Sequence, residues 1–254
     1  MKNVILFITH KWDSVVEEHY EKLKNDIKNR KDFDLFICYN NNNNEQINKG
    51  NVYYFNKKSV ENDGFIMHYY WPGTTDFYGN NYEYSFMSFF KHYPDYNYYW
   101  IIEYDVIFNG NWNILFDAYE KDDTDFIASN LNKYEIYKDF WGKCGPMNFF
   151  DKYLIKYGNN RIKTFNPIFR ISKKGLEIIQ SIYNKREYGF FEEFLPTVIY
   201  NNSLKVSDFN KKGFVKGGGI TKELDNTAAT MRFMPEWNKN EIIENNILYH
   251  PVKK

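Results

Sequence analysis

The stretch Tyr98-Tyr-Trp-Ile-Ile-Glu-Tyr-Asp-Val-Ile-Phe108 is an apolar run that ends in two acids, Glu103 and Asp105. An apolar run of this length predicts a buried strand. Successive side chains of a strand alternate between its faces, so residues 103 and 105 are expected to point the same way. Two carboxylates side by side suit a hard divalent cation or a ligand hydroxyl. The alternative is an ordinary turn with solvated acids.

The segments around this strand alternate between strand and helix patterns. Val4 to Thr9 predicts a first buried strand, a helical pattern runs from Val15 to Ile27, and Asp34 to Tyr39 predicts a second strand. Further strands are predicted at 52–55, 125–128, 165–171 and 204–209, and further helices at 82–92, 149–157, 172–183 and 189–197. This alternation with short joints predicts an α/β fold with a mixed, mainly parallel central sheet flanked by helices.

The composition favours a small-molecule partner. The chain has 254 residues and a mass of 30.8 kDa, which is enough for one large α/β domain over residues 1–254. Its 33 basic and 33 acidic residues cancel, and it has no long basic block, which argues against nucleic-acid binding. Aromatic residues make up 20% of the chain and suit surfaces that hold sugars or bases, although an AT-rich genome would also enrich them.

Cysteine content and the N-terminus bear on the compartment. Two cysteines, Cys38 and Cys144, make neither a disulfide framework nor a cysteine-rich zinc site, which is typical of a reducing compartment. The apolar run from Val4 to Ile8 is too short for a signal peptide or a membrane span. We therefore expect a cytoplasmic protein without an integral membrane segment. The sequence leaves the oligomeric state open.

Four features follow one another in a recognisable order. They are the first strand, the strand ending Glu103-Tyr-Asp105, the acidic helix start Phe191-Glu-Glu193, and the C-terminal Tyr249-His-Pro251. Over nearly the whole chain, this order resembles the glycosyltransferase A fold, a Rossmann-like fold. It is similar to little-characterised bacterial and viral enzymes with a Trp-x-Ile-Glu-Tyr-Asp-Val motif. The resemblance implies a nucleotide-binding half at 1–110, and an acceptor-binding half with a metal-ligand tail at 111–254.

The same resemblance implies a metal-dependent glycosyltransferase. It would move a sugar from a nucleotide-diphosphate donor, a UDP- or GDP-sugar, to the hydroxyl of a glycan-type acceptor, with Mn²⁺ or Mg²⁺ as cofactor. Asp105 and His250 are the implied metal ligands, together with Glu103, where the common pattern has Asp. Glu192 or Glu193 is the implied catalytic carboxylate facing the acceptor. Such a group needs a raised pKa to take a proton from a hydroxyl.

Further residues are assigned to the substrates. The candidate donor-binding residues are Thr9, His10, Asn80, Asn81, Glu103, Tyr104, Lys216 and Lys253, and the candidate acceptor-binding residues are Tyr70, Trp71 and Arg170. The loop from His68 to Asn81 is rich in Gly, Pro, Asn and aromatics, and is expected to line or cover the clefts. Lys216 precedes three glycines whose amides could approach a diphosphate.

Each candidate also has a structural interpretation. The acids at 192 and 193 could simply complement a helix dipole, and His250 could be a buried histidine satisfied by the fold. Asn80 and Asn81 could cap a helix, the glycines after Lys216 could form a flexible connection, and Arg170 could cap the helix that follows it.

Two rival functions remain open on the sequence alone. A sugar nucleotidyltransferase normally has a Gly-rich, basic loop after the first strand, and His10-Lys-Trp-Asp13 is not such a loop. A non-catalytic carbohydrate-binding protein would use the aromatics around Trp71. Such a binding protein would have no need for Glu103, Asp105 and His250 to converge. Finding these residues far apart would therefore favour the carbohydrate-binding function.

Overall fold

A computed structural model describes residues 2–41, 44–65, 81–135, 154–187, 189–217 and 229–254. Its strands are β1 Asn3–Thr9, β2 Phe33–Asn40, β3 Asn51–Phe55, β4 Tyr98–Glu103, β5 Ile107–Asn109, β6 Phe126–Lys133, β7 Ile162–Ser172, β8 Val206–Asp208 and β9 Ile247–Tyr249. Its α-helices are α1 Ser14–Ile27, α2 Lys57–Asn62, α3 Glu83–His92, α4 Trp112–Ala118, α5 Lys173–Tyr183 and α6 Phe191–Asn201.

Seven of these strands form the central sheet, in the order β3-β2-β1-β4-β7-β6-β8. Strands β1, β2, β3 and β4 pair in parallel, as do β6 and β8. Strand β7 is antiparallel to both of its neighbours, β4 and β6. The prediction of a mixed, mainly parallel α/β sheet is confirmed.

Two apolar layers cover the sheet because its strands alternate their side chains. In β1, Val4, Leu6 and Ile8 join the core under α3, α5 and α6. Ile5 and Phe7 face the other core, which α1 and α4 complete. Both faces of β1 are therefore buried, which explains its continuous apolar sequence.

Local signals in the sequence fix several helix starts. The Asp13 carboxylate accepts from the N–H groups of Val15 and Val16 at the start of α1. The Ser172 hydroxyl accepts from Gly175 N–H at 3.0 Å, so the prediction of Ser172 as a helix cap is confirmed.

Two sequence predictions differ from the structure, and one pair of strands was not predicted. The strand predicted at 204–209 is only β8, because Phe209–Lys212 turns into a 3₁₀ helix. The helix predicted at 149–157 overlaps a 3₁₀ segment, Leu154–Asn160, and its first residues lie outside the described ranges. The two-stranded sheet of β5 and β9 was not predicted, although it decides where the C-terminal tail lies.

Candidate metal and donor site

Antiparallel pairing of β5 with β9 brings the C-terminal tail to the acids after β4. Ile107, two residues after Asp105, pairs with Tyr249, the residue before His250. The backbone N–H of Val252 donates to the carbonyl of Asp105 at 2.9 Å. The tail is thus held beside the carboxyl end of β4, the edge at which open α/β sheets bind ligands.

Glu103, Asp105 and His250 converge at this edge. His250 Nε2 lies 3.4 Å from Asp105 Oδ1 and 3.6 Å from Glu103 Oε2. One potential ligand atom from each residue lies within 4.8 Å of the other two. The side chain of Asp105 is only 5% exposed, whereas that of Glu103 is 22% exposed. The cluster therefore opens to solvent on the Glu103 side.

The orientation of the His250 ring is set by its other nitrogen. Nδ1 lies 2.8 Å from the carbonyl oxygen of Arg232, which can only accept, so Nδ1 carries the proton. The ring of Phe165 packs against the imidazole, with 5.3 Å between ring centroids. These contacts aim Nε2 at the acids, as expected of a histidine ligand with an orienting partner.

The electrostatics of the cluster are those of two acids sharing one base. Burial alone would lower the pKa of His250, but the adjacent Asp105 and Glu103 raise it to about 9. Burial raises the pKa of Glu103, with the charge of Asp105 adding to the effect. Burial opposes ionisation of Asp105, yet His250 and Lys253 hold its pKa below the usual value. Asp105 is thus the acid of the cluster that ionises more readily.

The three side chains fit a divalent cation. Two carboxylates and an imidazole form a donor set that Mn²⁺ and Mg²⁺ accept. The separations of 3.4 and 3.6 Å are a few tenths of an ångström longer than the roughly 3.0 Å between adjacent octahedral ligands of an ion at roughly 2.1 Å, so small side-chain movements would complete the site. Asp105 Oδ1 is buried and makes no close hydrogen bond in the described part of the chain, since its ion-pair partner His250 Nε2 lies 3.4 Å away. A cation would satisfy this oxygen.

The two acids at the start of α6 are paired with bases at the start of β7. Glu192 Oε2 lies 4.0 Å from Lys163 Nζ, and Glu193 Oε1 lies 3.4 Å from Arg161 Nε. Burial raises the pKa of Glu192 to about 7, although Lys163 and the backbone N–H of Asn166 lower it. The charges of Glu103 and His250 also act on the pKa of this carboxyl, so Glu192 lies within electrostatic range of the cluster.

Several predicted donor-binding residues lie at the same edge of the sheet. Thr9 ends β1, and its hydroxyl donates to the carbonyl of Lys11 at 2.6 Å. The rings of His10 and Tyr104 meet edge to face, with centroids 5.3 Å apart. Lys253 Nζ lies 3.7 Å from Asp105 Oδ2 and therefore adds a positive charge beside the cluster.

Other predicted site residues lie elsewhere or outside the described ranges. Arg170 pairs with Trp100 near the amino end of β4, so its position gives the acceptor-binding prediction no support. The ammonium group of Lys216 pairs with the carboxylate of Glu244. Asn81 is buried two residues before α3. Asn80, Tyr70 and Trp71 lie outside the described residues, as do Cys144 and most of the loop from 68 to 81.

Two residues of β7 near the site were not singled out from the sequence. Lys163 is the ion-pair partner of Glu192. Asn166 is fully buried, and neither atom of its side-chain amide has a hydrogen-bond partner among the residues described. The available signal was a lone amide within the apolar run from Phe165 to Ile171.

Comparison with solved structures finds glycosyltransferases at low identity. Galactosyltransferase LgtC, in complex with donor and acceptor sugar analogs, is 12% identical, has a TM-score of 0.44, and covers 92% of this chain and 84% of its own. A glycosyltransferase involved in the glycosylation of the major capsid of PBCV-1 is 11% identical, with a TM-score of 0.39 and coverage of 82% and 81%. Mouse xyloside xylosyltransferase 1 is 9% identical, with a TM-score of 0.38 and coverage of 81% and 83%.

No protein-family model matches the chain, and neither does any curated protein. Similarity to solved structures at these TM-scores assigns no function, so the side chains of the site must carry the functional argument. Among the helices in the described ranges, none combines the length and apolarity needed to cross a bilayer.

Proposed function

We propose that this protein is a metal-dependent glycosyltransferase that moves a sugar from a nucleotide-diphosphate donor to an acceptor hydroxyl. One observation carries the proposal, the convergence of Glu103, Asp105 and His250 at one largely buried site. Two carboxylates held close together repel each other unless a bound cation or a proton offsets their charge. The position of the cluster at the carboxyl end of β4 supports the same proposal, because open α/β folds bind ligands at the carboxyl ends of their strands.

The donor is proposed to lie against the cluster with its diphosphate. A divalent cation held by Asp105 and His250, with Glu103 beside it, would supply Lewis-acid stabilisation of the leaving diphosphate. Lys253, 3.7 Å from Asp105, would add a second positive charge near the phosphates. Thr9, His10 and Tyr104 lie at the ends of β1 and β4 and are proposed to contact the nucleotide.

Glu192 is proposed to receive the proton of the acceptor hydroxyl. With a pKa of about 7, the buried carboxyl is close to the value that suits a general base at neutral pH. Lys163, 4.0 Å away, favours the ionised form that accepts the proton. Glu193 is the less suitable candidate, because its carboxylate lies against the guanidinium of Arg161.

The rival functions have less support at this site. A non-catalytic carbohydrate-binding protein has no need for two acids and a histidine to meet. A sugar nucleotidyltransferase would need a basic, glycine-rich loop after β1, whereas Asp13 there caps α1 with its carboxylate.

The decisive experiment is a thermal-shift screen of UDP- and GDP-sugars with Mn²⁺ or with EDTA. Ligands that bind the native state raise the unfolding temperature, so the true donor should stabilise the protein only when Mn²⁺ is present. The same screen on Asp105→Asn should show no Mn²⁺-dependent shift. Asp95→Asn, which changes an acid that is 93% exposed, is the matched control and should behave as wild type. Equal shifts in wild type and Asp105→Asn would refute the proposed site.

A further inference from the structure

Residues 229–237 form a segment that packs along the C-terminal tail and carries the carbonyl that orients His250. The backbone N–H of His250 donates to the carbonyl of Thr230 at 3.0 Å, and the N–H of Arg232 donates to the carbonyl of His250 at 3.2 Å. These two bonds form a parallel bridge between Met231 and His250. The segment and the tail therefore hold each other in register.

Met231 presents its own carbonyl to the other side of the segment. In parallel pairing, one residue bonds the two neighbours of the residue opposite it. The carbonyls of Thr230 and Arg232 accordingly both face His250, the first bonding its backbone N–H and the second its Nδ1. Asn130, on β6 of the central sheet, donates from Nδ2 to the carbonyl of Met231 at 3.2 Å. The segment is thus held by the tail on one side and by the sheet on the other.

Asn130 reaches this carbonyl from a bulge in β6. Between its pairs with Phe165 and Lys163 of β7, β6 contains one residue more than β7 does. The N–H of Leu131 turns to the carboxylate of Asp208, to which it donates at 2.7 Å, and this bond fixes the shape of the bulge. Bulges occur beside active sites, where they redirect a side chain. Here the redirected side chain is the amide that bonds the segment next to His250.

The backbone conformation at position 130 restricts which residue can make this bond. Asn130 has a φ of 55°, in the left-handed region that Gly, Asn and Asp adopt most readily. Of these three, only Asn has a side-chain N–H, because Gly has no side chain and an ionised Asp only accepts. Asn130 therefore combines an uncommon backbone conformation with a donor, and such conformations cluster at functional sites.

We infer that Asn130 is a positioning residue for His250. Its amide holds the carbonyl of Met231, and the next carbonyl along the chain, that of Arg232, accepts from Nδ1 of His250 at 2.8 Å. Nε2 is thereby aimed at the acid cluster. Outer partners of this kind orient a metal ligand and change the metal affinity. The consequence for metal binding rests on the proposed function, whereas the orientation of the ring does not.

The first test needs no metal. In EDTA, NMR of protein labelled with ¹⁵N-histidine should show the Nδ1 proton of His250, identified by its absence from His250→Gln. Asn130→Gly removes the amide but keeps the left-handed backbone, so this proton should exchange with water at least about tenfold faster. Asn130→Asp, which keeps the shape of the side chain without its donor, should have the same effect. An exchange rate equal to that of wild type in both variants would overturn the inference.

Ser203→Gly is the matched control for the backbone. Ser203 is exposed, has a φ of 61° and follows the end of α6. Its replacement relieves a left-handed residue far from β6 and should leave the exchange of the His250 proton unchanged. Faster exchange in this variant as well would assign the effect to general loosening of the fold and would contradict a specific role for Asn130.

The second test asks whether the positioning serves metal binding. By calorimetry, Mn²⁺ affinity should be at least about fivefold lower in Asn130→Gly than in wild type. In a His250→Gln background, Asn130→Gly should cause no further loss, because Asn130 acts through His250. Additive losses would overturn the inference. Faster exchange in Asn130→Gly in a protein that binds no Mn²⁺ would instead refute the proposed metal site and support the positioning role.

Discussion

His250 Nε2 lies 3.4 Å from Asp105 Oδ1, a buried carboxylate oxygen with which it forms an ion pair. The pKa of His250 is raised to about 9 by this acid and Glu103, so the imidazole is protonated at neutral pH without a metal. A proton and a divalent cation therefore compete for the same nitrogen.

This competition predicts a pH-dependent metal affinity. Binding of Mn²⁺ must displace the proton from His250, so affinity should rise about tenfold for each pH unit between about pH 6.5 and about pH 9. Calorimetry in buffers of different ionisation enthalpy should detect the released proton. His250→Gln should bind more weakly and lose most of the pH slope, whereas His92→Gln, at an exposed histidine beside Asp63, should retain it. An unchanged slope in His250→Gln would contradict the prediction.

The stability of the metal-free protein should also depend on pH through His250. It should fall as pH rises, whereas metal affinity should rise. A histidine whose pKa is raised by the fold stabilises the native state fully below its ordinary pKa of 6.5, and this stabilisation is lost as pH rises to about 9. Chemical denaturation in EDTA should therefore show a decline in unfolding free energy across this window. The decline should be smaller in His250→Gln.

The two acids of α6 should behave differently when neutralised. Glu192→Gln should lower turnover roughly a hundredfold or more with donor affinity nearly unchanged, the scale of a lost general base. Wild-type turnover should rise with pH to a plateau above about 7, since the base must be ionised. Glu193→Gln should mainly lower the unfolding temperature, because it removes the carboxylate beside the buried Arg161. Turnover close to wild type in Glu192→Gln would leave that residue only a role at the helix start.

Glu83 in α3 should make the protein less stable as pH rises. Its carboxyl is buried with Oε1 unpartnered in the described structure, and burial raises its pKa from 4.5 to about 8. The native state then holds a proton that the unfolded chain releases, so stability should fall between about pH 4.5 and pH 8. Glu83→Gln should raise the unfolding free energy at pH 8 by at least about 1 kcal/mol, whereas Glu61→Gln, at an exposed position on α2, should not. Equal pH dependence of wild type and Glu83→Gln would contradict this.

The aromatic loop before α3 is expected to hold a substrate. Trp71→Ala should raise the apparent Michaelis constant for donor or acceptor by more than about tenfold, equivalent to roughly 1.4 kcal/mol of binding. Hydrogen exchange should slow in the loop from His68 to Asn81 when donor and Mn²⁺ are added. A loop that exchanges equally with and without every bound ligand would exclude the role.

The sequence by itself determined the elements whose signals are local. Continuous apolar runs specified β1 and β4, and Asp13 and Ser172 specified the starts of α1 and α5. Alternation along the predicted strand put Glu103 and Asp105 on one side, but β4 ends at Glu103 and Asp105 lies in the turn that follows it, so alternation accounts for Glu103 alone. The order of motifs also drew attention to His250 and Glu192.

Only the tertiary structure decided which of these groups meet. His250 reaches Asp105 because β9 pairs with β5, two short strands whose pairing has no local signature. Lys163 becomes the partner of Glu192 only when β7 packs beside α6. Arg170 was predicted to bind the acceptor together with the other site residues. Because β7 runs antiparallel to β4, Arg170 instead pairs with Trp100, towards the amino end of β4 and away from the acid cluster. Contacts between segments distant in sequence depend on strand order and direction, which a local pattern does not contain.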